Sequence, residues 1–187
     1  MGKSWMGQPP LWTSGLLGIA SVVVGVSASA VQLADGTTHF VQIPRLESAS
    51  TTFNGVWFRG AVYYFKISVP EGAGEPLQKV TVAQSEGVDR VAFNLAQTRV
   101  TDIRRRQSLA VATAQVDAAG AVTVVFDPPL APGQTVMLGL RPYRNPSVGG
   151  VYLFGVTAFP AGEQPQGRFL GFGRLHFYER SRWGLFH

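Results

Sequence analysis

Two segments of the chain combine arginine with neighbours that suit the recognition of anions. They are the triplet Arg104, Arg105 and Arg106, and the loop-like segment that holds Arg141, Tyr143 and Arg144. A guanidinium is planar and always charged, so it forms paired hydrogen bonds with carboxylate or phosphate groups. An adjacent aromatic ring offers a flat face for stacking. These segments predict a surface for an anionic polymer, lipid headgroup or acidic protein, with solvated loops as the alternative interpretation.

Histidine is the other side chain here that could bind a metal or transfer a proton. His39, His176 and His187 are far apart in the sequence, and no H-x-H or H-x-x-x-H spacing occurs. His39 and His176 fall in the first and last predicted strands, which could pair and bring the two rings together. Two ligands without a third make a weak site. A copper or zinc carrier using His39 and His176 is therefore an alternative function, and structural roles for both are favoured.

The sequence carries no pattern typical of an enzyme. It has no cysteine, which excludes a thiol nucleophile, a thiolate metal site and a disulfide framework. No G-x-S-x-G elbow is present. The acid pairs Glu71 with Glu75 and Glu86 with Asp89 lie in turn-like segments, where solvated loop charges are expected rather than opposed catalytic carboxylates. We expect a non-catalytic protein without a cofactor.

The elements that must position these residues are strands. In 61–69, Tyr63, Phe65, Ile67 and Val69 alternate with more polar residues, which is the period of a half-buried strand. Further apolar runs are bounded by Gly, Pro, Asp or Asn; they cover 39–43, 79–84, 88–95, 109–116, 122–126, 135–140, 151–159 and 174–178. Short strands at this spacing predict an all-β fold, a single antiparallel β-sandwich of the immunoglobulin-like or Greek-key type.

One connector between two predicted strands is rich in proline. It follows Phe126 and reads Asp-Pro-Pro-Leu-Ala-Pro-Gly, ending at Gly133. Proline fixes φ and cannot donate to a strand ladder, whereas glycine accepts the positive φ of a turn. We expect Leu130 to close one end of the core and Gly133 to form the turn.

The first 30 residues are typical of a secretory signal peptide. Lys3 precedes an apolar run over 16–26, and Ala28 and Ala30 supply the small residues of a cleavage site. The apolar run is shorter than the roughly 20 residues of a spanning helix, although a retained anchor is the alternative. We therefore predict a signal peptide at 1–30, a sandwich domain at 31–180 and a tail at 181–187. The domain would be extracytoplasmic, without a transmembrane segment.

Charge is moderate and dominated by arginine. All eleven acids and fifteen of the sixteen basic residues follow Ala30, which leaves a net charge of +4 on the predicted domain. Outside the cytosol this excess does not point to nucleic acid. An anionic component of the cell envelope is the expected partner, and a small outer-membrane β-barrel is a further alternative architecture.

Three segments resemble a known family. They read T-H-F-V-Q-I-P-R at 38–45, F-D-P-P-L-A-P-G-Q-T-V at 126–136 and G-G-V-Y-L-F-G-V-T-A-F-P at 149–160. Together with the leader, they make the chain similar to a cyanobacterial family of small exported proteins classed as a domain of unknown function, DUF2808. The resemblance spans roughly 40–178. It implies a cyanobacterial source and a periplasmic or other extracytoplasmic setting, and it brings no catalytic residues.

Overall fold

The computed structural model describes residues 36–179. Within them lie twelve strands: β1 Thr37–Thr38, β2 Arg45–Thr51, β3 Tyr63–Ser68, β4 Leu77–Glu86, β5 Arg99–Asp102, β6 Gln107–Leu109, β7 Val111–Val116, β8 Val122–Leu130, β9 Thr135–Leu140, β10 Gly150–Pro160, β11 Gln164–Pro165 and β12 Arg168–Phe177. Two single-turn 3-10 helices cover Glu71–Ala73 and Leu95–Gln97. No helix in this part of the chain is long and apolar enough to cross a membrane.

Ten of these strands form two open sheets. One has the order β12-β10-β4-β8-β7 and the other the order β2-β3-β9-β5-β6, and every neighbouring pair in both is antiparallel. The chain crosses repeatedly between them, as in Greek-key sandwiches. The short strands β1 and β11 pair in parallel. The predicted antiparallel sandwich is confirmed.

The core lies between the two sheets and follows the alternation of the strands. In β3, Tyr63, Phe65 and Ile67 are fully buried, while the residues between them are half-buried. The facing sheet contributes Tyr152 and Phe154 from β10 in the same alternating pattern. Because side chains two apart point to one face, each strand presents one row to the core.

The proline-rich connector behaves largely as expected. Leu130 is buried with 2% of its surface exposed, and Gly133 takes a φ of +83°. The strand nevertheless continues further than predicted, since β8 runs through the prolines to Leu130.

Two strand predictions were wrong, and the strand β2 was missed. The run 39–43 is not a strand, and the first long strand is β2, whose sequence RLESAST is mostly exposed and carries no apolar alternation. The run 88–95 is a loop. Hydrogen bonds of the Gln84 side chain, rather than pairing with another strand, fix the first part of this loop. The Gln84 amide donates to the carbonyl of Asp89 and accepts from the N–H of Val91.

Candidate functional site

Three loops meet at one end of the sandwich. They cover 52–62, 87–98 and 141–149, and backbone hydrogen bonds join them. The N–H of Trp57 donates to Pro146 (2.9 Å), and that of Asn145 donates to Phe58 (2.8 Å). On the other side, the N–H of Tyr143 donates to Ala92 (3.0 Å). The central loop 141–149 is thus fixed to both neighbours.

Asn145 holds this arrangement from inside. Its side chain is fully buried and accepts a hydrogen bond from the Tyr63 hydroxyl at 3.0 Å. Its amide donates to the carbonyls of Phe53 (2.9 Å) and Gly55 (2.8 Å). The three bonds nearly exhaust the capacity of the amide group. One side chain therefore ties the core strand β3 and the loop 52–62 to the loop 141–149.

The loop 87–98 is fixed by Asp89. One carboxylate oxygen accepts from both the N–H and the hydroxyl of Ser147. These hydrogen bonds stabilise the charged form and hold the pKa of Asp89 below its ordinary value, with a smaller contribution from the positive charge of Arg144. Beneath them, the Tyr152 hydroxyl donates to Val148 at 3.0 Å. Burial raises the pKa of Tyr152, so this phenol stays a neutral donor.

Between these loops lies a concavity of about 510 Å³, which we call the arginine cleft. It is lined by Arg59, Asp89, Arg90, Val91, Ala92, Tyr143, Arg144, Asn145, Pro146 and Ser147. The lining holds one carboxylate and three exposed arginines, one from each loop. Within residues 36–179, none of the three guanidiniums lies within 4.0 Å of a carboxylate oxygen. The cleft therefore carries more positive than negative charge.

An aromatic ring borders the cleft in an unusual backbone conformation. Trp57 has a φ of +59° and leaves 57% of its surface exposed. Non-glycine residues seldom adopt this conformation, and a large apolar side chain gains nothing from exposure. The guanidinium of Arg144 lies over the indole at 4.6 Å from the ring centroid. A flat ring and a charge thus share one surface.

The structure places two of the three predicted loop residues at this cleft. Tyr143 and Arg144 line it, and the guanidinium of Arg141 lies near the backbone of Gly60 in the loop 52–62. Sequence reasoning missed Trp57, Arg59 and Arg90. The only signal for them was that they occur in turn-like segments, such as W-F-R-G at 57–60. Nothing in the sequence indicated that this segment and the one around Arg90 lie close to the loop 141–149.

The triplet Arg104–Arg106 lies elsewhere. It forms the turn between β5 and β6, at the end of the sandwich where β9 begins, whereas Arg141 follows the last residue of β9. Six residues of strand separate the two ends by about 20 Å. The two predicted cationic segments therefore do not form one surface.

The turn at Arg104–Arg106 also has acidic neighbours. The Asp102 side chain is buried and accepts from the N–H of Arg105 at 2.9 Å, which lowers the pKa of Asp102. Glu71 and Asp102 line a concavity of about 570 Å³ together with Arg104 and Arg105. This end of the molecule is more nearly neutral than the arginine cleft.

The two histidines of the metal hypothesis do not meet. The Arg168 guanidinium donates to Nδ1 of His39 at 3.2 Å, so His39 lies at the start of β12. His176 lies eight residues further along that strand, about 26 Å away. Within residues 36–179, no group of three His, Cys, Asp or Glu residues is arranged to hold a metal ion. The pairing of first and last strands that the hypothesis required was wrong.

Some predicted features fall outside the described residues. The cleavage residues Ala28 and Ala30 precede them, and His187 follows them.

Taken together, the fold and the cleft define an all-β sandwich domain that presents a cationic, aromatic-flanked surface on its loops. The chain belongs to the family described as "Protein of unknown function (DUF2808)", whose model matches residues 37–177. This confirms the resemblance noted from the three sequence segments. No curated protein matches the chain.

Several solved structures are similar to this fold at low identity. The collagen-binding domain of a Staphylococcus aureus adhesin has a TM-score of 0.37 and 6% identity, over 63% of this chain and 87% of that one. ACE19, the collagen-binding subdomain of the Enterococcus faecalis surface protein ACE, has a TM-score of 0.42 and 5% sequence identity. The match covers 69% of this chain and 93% of that one. A DUF4466 family protein from Parabacteroides merdae ATCC 43184 has a TM-score of 0.40 and 12% sequence identity. The match covers 70% of this chain and 45% of that one. Similarities of this size carry no information about ligands.

Proposed function

We propose that this protein is a non-catalytic, extracytoplasmic binding protein that holds an anionic component of the cell envelope in the arginine cleft. The observation that carries the proposal is the convergence of Arg59, Arg90 and Arg144, each from a different loop, on one concavity with a single carboxylate. That carboxylate, Asp89, already accepts two hydrogen bonds from Ser147. Arg90 also donates to the carbonyl of Gln84 at 3.3 Å, and Arg144 lies over the ring of Trp57. The remaining donors of the three guanidiniums can bind a carboxylate or phosphate of the ligand.

The rigidity of the loops supports binding. Asn145 and Asp89 fix the cleft through hydrogen bonds to side chains and backbone, so little conformational entropy is lost when a ligand binds. Trp57 and Tyr143 add exposed rings at the rim, with 57% and 62% of their surfaces accessible. A ligand with negative charges and flat apolar faces can contact the guanidiniums with its charges and the two rings with its faces. An acidic polysaccharide fits this description best.

The extracytoplasmic setting rests on the leader at 1–30. An apolar run followed by Ala28-Ser29-Ala30 is typical of exported proteins. The absence of cysteine in the sequence is compatible with that setting. The proposal places no ligand at the turn Arg104–Arg106, because that turn lies at the other end of the sandwich.

The test compares two variants with the same change in charge. Retention of the purified protein on immobilised polygalacturonate is measured for the wild type, for Arg59→Ala with Arg144→Ala, and for Arg104→Ala with Arg105→Ala. Loss of charge-assisted hydrogen bonds in the cleft weakens binding by about tenfold or more. The variant at the opposite end keeps wild-type binding.

Two results would overturn the proposal. The first is an equal loss of binding in both double variants, which would indicate attraction by net charge alone. The second is the absence of wild-type binding to polygalacturonate when neutral dextran serves as the reference.

A further inference from the structure

A row of exposed side chains follows the second half of β12. Phe172, Arg174, His176 and Tyr178 are exposed, and they alternate with the buried residues Gly173, Leu175 and Phe177. The four exposed residues therefore share one face of the edge strand β12, which Tyr178 follows directly. Two aromatic rings, a guanidinium and an imidazole thus stand together on this exposed face.

The rings of this row lie open on the surface. Phe172 leaves 55% and Tyr178 leaves 58% of its surface exposed. The rings of His176 and Tyr178 are stacked at 6.4 Å between centroids, and Phe169 packs edge-on against Phe172 at 5.0 Å. Gly155 on the neighbouring strand β10 lies directly beside this pair, since a Cβ there would come within 3.2 Å of the Phe169 ring.

The row borders a shallow groove of about 340 Å³ between β12 and β2, which we call the β12 groove. Its lining includes Ser50, Thr51, Asn54, Arg174, His176 and Tyr178, and no acidic residue. Hydroxyl and amide groups stand on one wall and rings with a guanidinium on the other. This combination suits a polar molecule with apolar faces and negative charge.

The groove continues into the arginine cleft. The N–H of Tyr178 donates to Asn54 at 2.9 Å, and the N–H of Val56 donates back to Tyr178 at 3.1 Å. Trp57 follows directly and carries the Arg144 guanidinium on its ring. Aromatic and cationic groups thus recur from Phe172 to the cleft, with Asn54 and the carboxylate of Glu179 between them. The β12 part alone spans about 20 Å.

We infer that the β12 groove is an extended subsite for the same ligand, which is a linear acidic polysaccharide rather than a single charged group. The inference rests on the proposed function of the arginine cleft. Sugar rings stack on Phe172 and Tyr178, and Arg174 binds a carboxylate of the sugar chain several units away from the cleft.

The test is the dependence of affinity on ligand length. Binding of digalacturonate and octagalacturonate is measured by calorimetry for the wild type, Arg174→Gln, Phe172→Ala and the control Arg104→Gln, which removes the same charge at the other end. The wild type binds the octamer at least tenfold more tightly per mole of ligand than the dimer. Arg174→Gln and Phe172→Ala each lose most of this gain and bind the dimer as the wild type does, while the control keeps it.

The outcomes separate the two proposals. Equal wild-type affinity for dimer and octamer, or a gain with length that survives in both variants, would overturn the extended subsite and leave the cleft intact. Equal weakening of dimer and octamer in the β12 variants would overturn it as well. Binding of neither oligomer would overturn the proposed function and the inference together. Circular dichroism of each variant is the check that the fold is retained.

Discussion

Asn145 shows how much of the site depends on a single residue. It follows two arginines in R-P-Y-R-N-P, where an asparagine is expected in a turn. Its actual role is to satisfy two carbonyls of the loop 52–62 and the hydroxyl of Tyr63 inside the protein. Partners separated by 82 to 92 positions cannot be deduced from a local pattern. The loop residues were predictable as a cationic segment, but their rigid placement was not.

Asp89 provides a prediction at the same scale. Its pKa is lowered in the folded protein by the hydrogen bonds from Ser147, so the folded state binds this proton less readily than the unfolded state does. The resulting stabilisation of the folded state is fully present at pH values above 3.8, the ordinary pKa of aspartate. It is lost as the pH falls through the lower pKa that Asp89 has in the folded protein. We expect wild type to unfold at higher urea than Asp89→Asn at neutral pH, with a difference that shrinks in acid.

Urea midpoints of both proteins across this pH range check the expectation. A difference that stays constant down to strong acid would contradict the assignment, since it would show that the carboxylate charge is not involved.

Among the elements, those with apolar alternation were the most predictable. The pattern at 61–69 led directly to β3, and 135–140 has the bounds of β9. The strand β2 was missed because it lies at a sheet edge and is largely exposed, so burial did not impose an alternating pattern on its sequence. The run 88–95, which lies in the loop 87–98, was mistaken for a strand because Val88 and Val91 are β-branched. Propensity does not reveal the tertiary contacts that override it.

Gly87 gives a prediction for the loop it begins. Its φ is +130°, and a Cβ there would come within 2.1 Å of the Tyr152 ring, which is fully buried. Gly120 is a matched control, since it has a φ of +84° with open space around it. We expect Gly120→Ala to lower the free energy of unfolding by about 1 kcal/mol and Gly87→Ala by about 3 kcal/mol or more. Urea unfolding of both variants measures the difference.

Equal effects of the two alanines would show that the backbone conformation alone matters at Gly87, and would contradict the role given to Tyr152. The Gly87 variant also reports on the site. Because the loop carries Asp89 and Arg90 into the cleft, we expect its binding to polygalacturonate to weaken along with its stability.

For the whole molecule, the sandwich class and the cationic character were predictable, and the distribution of charge between the two ends was not. Arg104–Arg106 and Arg141–Arg144 are both basic in sequence, but β9 separates them. Arg59 and Arg90 are single residues without basic neighbours, and the topology alone brings them beside Arg144. The basic segments of the sequence therefore identified Tyr143 and Arg144 in this cleft but not Arg59 and Arg90.

Because residues within 36–179 form a buried core, we expect this part of the chain to fold by itself. Its buried cluster is assembled from both sheets, including Leu175 and Phe177 of β12. We expect a fragment of residues 36–179 to unfold in a single cooperative transition with the urea midpoint of the full chain. A fragment of residues 36–166, which lacks β12, serves as the control and should not fold. A lower midpoint for the longer fragment would show that residues outside it stabilise the domain.

The pairing of β1 with β11 has a consequence for how the molecule is oriented in its surroundings. Thr37 and Thr38 lie beside Gln164 and Pro165, just beyond the last residues of β10, whereas the cleft adjoins the first residues of that strand. A tether joined to residue 36 would consequently leave from the pole opposite the cleft. If the leader were retained as an anchor, the turn Arg104–Arg106 would face the bilayer and the arginine cleft would face away from it.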